Sequence, residues 1–231
     1  MDIDVLVFDV LGTLVDEPAG IRAGIRKCFP SLTDAEVEEL LSGWQKQVER
    51  EQGRIVAGER PYVASDVIDR EAAQAVVDAV GAGDAAELAL AARRLPPWPD
   101  TIDGLARLAE RFPLVGLSNA SRTALLDLCA NAGLRWHTVL SAEDARTYKP
   151  APDVYRLAID VAGRAPERLL MVAAHSWDLR GAQEAGFRTA YVSRPVGDPP
   201  GPADRFDLRA DGLADLADQL EHVRGGSPDQ A

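Results

Sequence analysis

An α/β fold, a doubly wound parallel sheet interrupted by a helical insertion, is predicted by three features of this chain. Val5-Leu6-Val7-Phe8 is a β-branched and aromatic run without alternation, the pattern of a central parallel strand covered on both faces. From about Asp16 to Leu95 helical periodicity dominates and no strand signal stands out. Beyond residue 97 helical and strand-like segments alternate, as repeated β/α winding requires.

The first strand delivers Asp9 to its carboxyl end, the edge at which open α/β sheets bind ligands. Gly12 lets the chain turn sharply and exposes amide groups that can hold an anion, and Thr13 adds a hydroxyl. Taken alone, a strand-end aspartate is as readily a turn or helix-cap residue. In the insertion, residues 34–52 and 67–80 read as helices, and Thr33 stands three residues before Glu36 in a capping-box pattern. Pro96-Pro97-Trp98-Pro99 breaks the periodicity and marks the return linker.

After that linker, helices are expected over 101–112, 122–133, 154–163 and 179–187, and strands over 113–119, 137–143, 169–175 and 188–194. A closing helix over 213–223 precedes a polar tail. The expected division is an α/β core of residues 1–15 and 97–225, a helical cap of residues 16–96, and a disordered tail of residues 226–231. A binding site belongs at the seam, since pockets form at domain interfaces and sheet edges.

Composition narrows the function classes. A formal net charge of -12 argues against nucleic acid and against an anionic membrane surface, both of which need a positive footprint. Cys28 and Cys129 lie in helical or apolar contexts outside any C-x-x-C pair, so they read as reduced, buried thiols. With no leader pattern and no apolar stretch of membrane-spanning length, a cytoplasmic enzyme is expected. The apolar cap helices are compatible with a homodimer.

Polar residues at the ends of the later strands should meet Asp9, because all carboxyl ends of a parallel sheet share one edge. Ser118 and Asn119 offer a hydroxyl and an amide to a carboxylate, phosphate or halide, or else cap a helix. Lys149, in Tyr148-Lys149-Pro150, either projects an ammonium over an anionic site or is solvated, and Tyr155 follows closely. Asp178 opens a helix after Ala174, His175 and Trp177, where it either serves the site or stabilises the helix terminus.

In order, these residues read D-x-x-G-T-L, then S-N, then Y-K-P-x-P, then W-D at a helix start. On those motifs the chain resembles the haloacid dehalogenase superfamily over nearly its whole length. Through Leu11, Ala174 and Trp177-Asp178 it resembles the L-2-haloacid dehalogenase branch. Phosphatases of the superfamily carry an acid at the position of Leu11 to protonate the leaving alkoxide, and a second acid near Ala174 to help hold magnesium. A halide leaves as a stable anion and needs no general acid, an aid worth about 10²- to 10⁴-fold for a poor leaving group.

The resemblance therefore implies metal-independent, cofactor-free hydrolysis of a short 2-haloalkanoic acid. Asp9 would attack the α-carbon and form an ester, Lys149 would keep Asp9 ionised, and Asp178 would activate water. Thr13, Ser118 and turn amides would hold the substrate carboxylate. Asn119 and Trp177 would form the halide pocket and Leu11 its apolar wall. For His175 two readings stand, one in the halide or water pocket and one as a seam hydrogen bond. His137 and His222 read as structural or exposed.

Two departures qualify the branch. Gly43-Trp44-Gln45-Lys46-Gln47 offers no arginine where the branch presents one from the first cap helix, leaving Arg22, Arg26, Arg54 and Arg60 as substitutes. Ala173 and His175 stand where serine and asparagine are usual. The alternatives are a divergent phosphatase or other hydrolase of the superfamily, and a catalytically weak binding protein on the same fold.

Overall fold

The computed structural model describes residues 1–225; the tail expected at 226–231 lies outside the described residues. Six strands form one fully parallel sheet: β1 (Val5–Phe8), β2 (Leu114–Ser118), β3 (Thr138–Ser141), β4 (Leu169–Ala173), β5 (Arg188–Val192) and β6 (Leu208–Ala210). Their spatial order is β3-β2-β1-β4-β5-β6. The chain thus winds outward from β1 on one side, then resumes at β4 on the other. The switch point lies between β1 and β4, where adjacent crossovers leave the sheet in opposite directions and open a crevice.

Strand alternation explains how both faces are buried. Leu6, Phe8, Leu114, Leu170 and Val172 join one apolar cluster, while Val5, Val7, Val115, Leu117 and Met171 join the other. The first cluster receives side chains from α5 (Thr101–Ala109), α6 (Arg122–Ala132) and α9 (Leu213–Gly225). The second receives α7 (Pro152–Ala162) and α8 (Ser176–Glu184). An all-apolar β1 follows from this double cover.

Between β1 and α5 the chain forms α1 (Glu17–Cys28), α2 (Asp34–Val56), α3 (Ser65–Val80) and the short α4 (Ala85–Ala89). The capping box at Thr33 and Glu36 is present, with both reciprocal hydrogen bonds. Ile21, Ile25, Leu41 and Trp44 extend the first apolar cluster into this insertion. The two connections to the insertion pair with each other: Asp16 N–H donates to the Pro96 carbonyl at 2.8 Å, and Trp98 N–H donates to the Leu14 carbonyl at 3.1 Å. Asp9 therefore stands a few residues from a two-stranded neck.

Two expectations need revision. Cys28 and Cys129 are free but half-buried, so neither is a fully enclosed thiol. The sixth strand, β6, escapes the sequence pattern because it has three residues, Leu208-Arg209-Ala210, too few to display a period. His137 accepts the Leu114 N–H at 3.0 Å, a structural role, and His222 is exposed.

Candidate active site

β1 carries Asp9 to the centre of the sheet edge, and the next four residues fold back beneath its carboxylate. Gly12 adopts φ +76°, a left-handed conformation that glycine enters at little cost. That turn brings the Thr13 hydroxyl round to donate to Asp9 Oδ2 at 2.6 Å, while Thr13 Oγ1 accepts the Ala174 N–H at 2.9 Å. One hydroxyl thereby ties the end of β1 to the end of β4, across the switch point.

The other Asp9 oxygen meets a cation. Lys149 Nζ donates to Asp9 Oδ1 at 2.7 Å and to Asp178 Oδ2 at 2.5 Å. Asp9 and Lys149 are each 4 % exposed and Asp178 is 0 % exposed, so the three charges act with little solvent screening. Tyr155 closes the group from α7, its hydroxyl donating to Asp178 Oδ1 at 2.7 Å. Burial alone would lower the Lys149 pKa, but attraction by Asp178 and Asp9 raises it above the ordinary lysine value. For Asp178 burial prevails and raises the carboxyl pKa, against the attraction of Lys149 and the Tyr155 hydrogen bond.

Lys149 owes its station to Asn119. The Asn119 side chain accepts the Lys149 backbone N–H at 2.8 Å and donates through Nδ2 to Gln52 of α2 at 2.9 Å. Ser118 is buried at the end of β2, where its Oγ accepts the Ala120 N–H at 3.1 Å. Two further links cross to the insertion: Tyr148 OH donates to the Val63 carbonyl at 2.7 Å, and Ser121 N–H donates to Ser65 Oγ at 2.8 Å.

A second group gathers around the Gly12 turn. His175 Nε2 lies 3.3 Å from the Leu11 carbonyl oxygen, and the imidazole stacks on Trp177 with ring centres 5.8 Å apart. A Cβ built on Gly12 would sit 2.5 Å from His175 Nε2, so this glycine also makes room for the histidine. The backbone of Asp198 pairs with that of His175, and its carboxylate accepts the Trp177 N–H at 3.3 Å. Leu11 and Trp177 are half-buried beside this ring.

Three participants had no sequence signal of their own. Glu17, in the first turn of α1, is within electrostatic reach of both Asp9 and His175; burial raises its pKa, His175 lowers it and Asp9 raises it further. Asp69 of α3 is raised well above the usual carboxylate range by burial, then by Glu17 and Asp66, with Arg93 opposing. Arg194, beyond β5, donates to the Thr13 carbonyl at 2.9 Å and to Asp100 at 2.8 Å. It braces the Asp9 turn from below.

The four arginines that could have compensated for the absent one are occupied. Arg22 pairs with Glu38, Arg26 with Asp34, Arg54 with Glu51, and Arg60 with both Glu51 and Glu71. Chemically, the arrangement holds one carboxyl group at a sheet edge and a second beside it, with a shared ammonium between them. Each Asp9 oxygen retains a lone pair beyond its hydrogen bond, so the group can act as a nucleophile.

The chain is similar to known proteins in sequence and in overall fold. A family model described as haloacid dehalogenase-like hydrolase matches residues 3–186. An (S)-2-haloacid dehalogenase of Xanthobacter autotrophicus is 33% identical over 199 residues, spanning 83% of this chain and 76% of that protein. An (S)-2-haloacid dehalogenase of Pseudomonas putida is 30% identical over 200 residues, spanning 83% of this chain and 85% of the other. Among solved structures, the L-2-haloacid dehalogenase from Xanthobacter autotrophicus with chloropropionic acid covalently bound superposes with a TM-score of 0.82 at 28% identity, covering 97% of this chain and 100% of the other.

Proposed function

The chain belongs to the haloacid dehalogenase-like hydrolase family, and from that premise we propose that it hydrolyses the carbon–halogen bond of short 2-haloalkanoic acids through an ester on Asp9. The observation that carries this reading is the Lys149 ammonium, 2.7 Å from Asp9 and 2.5 Å from Asp178. It orients Asp9 and holds Asp178 to it through one shared ammonium.

In the first step an Asp9 oxygen attacks the α-carbon, and the carbon–halogen electron pair departs with the halide. In the second, water held by Asp178 adds to the Asp9 carboxyl carbon; the ester C–O bond breaks, releasing the hydroxy acid and restoring Asp9. Asp178 takes one proton of that water and returns it to the departing alkoxide, Asp9 gives up the other to solvent, and Tyr155 and Lys149 steady the two oxygens of the Asp178 carboxylate. Ser118 serves the substrate carboxylate, while the Thr13 hydroxyl stays on Asp9 Oδ2 and orients it. Asn119, Trp177 and His175 stand toward the halide, and Leu11 supplies the apolar wall. Leu11 and Ala174 occupy the positions at which an alkoxide-protonating acid and a metal-holding acid would be needed, which favours halide over phosphate chemistry.

Residues 1–15 and 97–225 serve as the core and residues 16–96 as its cap, joined at the neck where Leu14 and Asp16 pair with Trp98 and Pro96. No helix among the described residues is long and apolar enough to cross a membrane. A cytoplasmic setting fits the two free cysteines.

The test is a single turnover with 2-chloropropionate in ¹⁸O-water without added metal. Chloride release with heavy oxygen incorporated into the Asp9 peptide in that one turnover is expected; no chloride and no labelled Asp9 would reject the reading.

A further inference from the structure

Gly12 has no side chain to restrain it, so the peptide joining it to Thr13 turns freely unless something outside the turn holds it. That freedom matters, because the Thr13 hydroxyl meets Asp9 Oδ2 at 2.6 Å only while the Thr13 Cα–Cβ bond points one way. A peptide unit is planar, so holding the carbonyls on either side of Thr13 fixes both of its backbone dihedrals. Both carbonyls are held.

The Trp98 indole N–H donates to the Gly12 carbonyl at 3.0 Å, and Arg194 Nε donates to the Thr13 carbonyl at 2.9 Å. The two donors form one unit, with the Arg194 guanidinium carbon 5.8 Å from the centre of the Trp98 ring, within cation–π range. That unit is itself anchored. Arg194 Nη1 donates to Asp100 Oδ1 at 2.8 Å, and Asp100 Oδ2 accepts the Leu213 N–H at 2.8 Å. The Trp98 backbone N–H and the Thr101 hydroxyl both donate to the next carbonyl, that of Leu14, at 3.1 and 2.8 Å. The Arg194 side chain is 6 % exposed, so water competes little for its hydrogen bonds.

We propose that Trp98 and Arg194 are positioning residues for the nucleophile: by gripping the two carbonyls that flank Thr13, they hold its hydroxyl on Asp9 and so set the direction from which the carboxylate meets the α-carbon. Both act through Thr13. The inference rests on the ester mechanism above and adds to it two residues from outside the Asp9 turn. Trp98 belongs to the linker by which the chain returns from the insertion, so the neck takes part in aiming Asp9.

Trp98→Phe keeps the ring and removes the N–H. Single-turnover halide release from 2-chloropropionate is expected to slow by about tenfold or more, since a 1 Å misplacement of a reacting group costs on the order of 10²-fold. KM and the thermal midpoint should change little. Arg194→Lys, which puts one nitrogen where two serve Thr13 and Asp100, should slow the same step. A double-mutant cycle separates positioning from general loosening. In a Thr13→Ala background Trp98→Phe should have almost no further effect, because the hydroxyl through which it acts is gone; in Thr13→Ser, which keeps the hydroxyl, the full effect should persist. Losses that multiply in the Thr13→Ala background, or an unchanged rate in folded Trp98→Phe, overturn the inference. Hydrogen exchange supplies a readout without turnover: amides of residues 9–15 should exchange faster in Trp98→Phe than in the unaltered protein, and equal exchange also overturns the inference. Faster exchange there, with no halide release from any 2-haloacid by the unaltered protein, would instead remove the ester reading and leave the grip on the turn.

Discussion

Lys149 Nζ lies 2.7 Å from Asp9 Oδ1 although 140 positions separate the two residues. That contact closes only when β1 and the loop after β3 share one sheet edge, so the fold and the Asp9–Lys149 pair are established together. Removing the ammonium would leave Asp9 and Asp178 as two buried carboxylates with no counter-charge. Lys149→Met is therefore expected to lose activity and to destabilise the protein by about 3–5 kcal/mol at neutral pH, the usual cost of breaking a buried ion pair from one side. Urea unfolding should show this deficit shrinking as the solution is acidified and the carboxylates become neutral.

Asp9→Asn should behave differently. The amide keeps the shape and can still accept from Lys149, so thermal unfolding should change little. Halide release should fall by at least about 1,000-fold, because the group that forms the ester is gone.

The Tyr155 hydroxyl favours the charged form of Asp178, whose pKa burial raises above its ordinary value of 3.8. Activity requires the carboxylate, so the rate of ester hydrolysis should drop as pH falls through that raised value. Tyr155→Phe removes a hydrogen bond that lowers it, and the acid limb should move to higher pH. Pre-steady-state pH profiles of the two proteins make the comparison; coincident limbs would refute the link. In stability the sign is opposite: a raised carboxyl pKa contributes fully below 3.8 and ceases to contribute as pH rises through the folded value.

Gly12→Ala combines two penalties, a left-handed backbone at φ +76° and a methyl group 2.5 Å from His175 Nε2. The expected cost is about 1–3 kcal/mol of stability. Turnover should fall more than stability alone explains, since the shift propagates to Thr13 and hence to Asp9. Chemical denaturation and halide-release assays on one preparation separate the two effects.

Chelation offers a fifth contrast. With the uncharged Leu11 and Ala174 flanking Asp9 and Asp178, EDTA treatment should leave halide release unchanged, and added magnesium should not raise it. Loss of activity on chelation, restored by magnesium, would contradict the proposed chemistry.

Much of this site is legible in the residue order, for a physical reason. Asp9, Ser118, Lys149 and Asp178 follow strands, and a parallel sheet gathers strand ends at one edge whatever the details of packing. Thr13 is readable because a glycine turn four residues long returns it to Asp9. Glu17, Asp69 and Gln52 are not readable in this way. They sit on helices whose solvent-side and seam-side positions look alike in one dimension, and only the docking of α1, α2 and α3 against the sheet distinguishes them. Arg194 was hidden for the same reason, since its partners Thr13 and Asp100 come from either side of the insertion.

The Asn119 side chain touches the Lys149 backbone on one side and Gln52 of α2 on the other. Swinging the helical lobe outward to admit a ligand would take Gln52 with it and slacken the peptide that carries the ammonium. Closing would restore both at once. Exclusion of bulk solvent by that lobe and placement of the ammonium would then be coupled through one carboxamide.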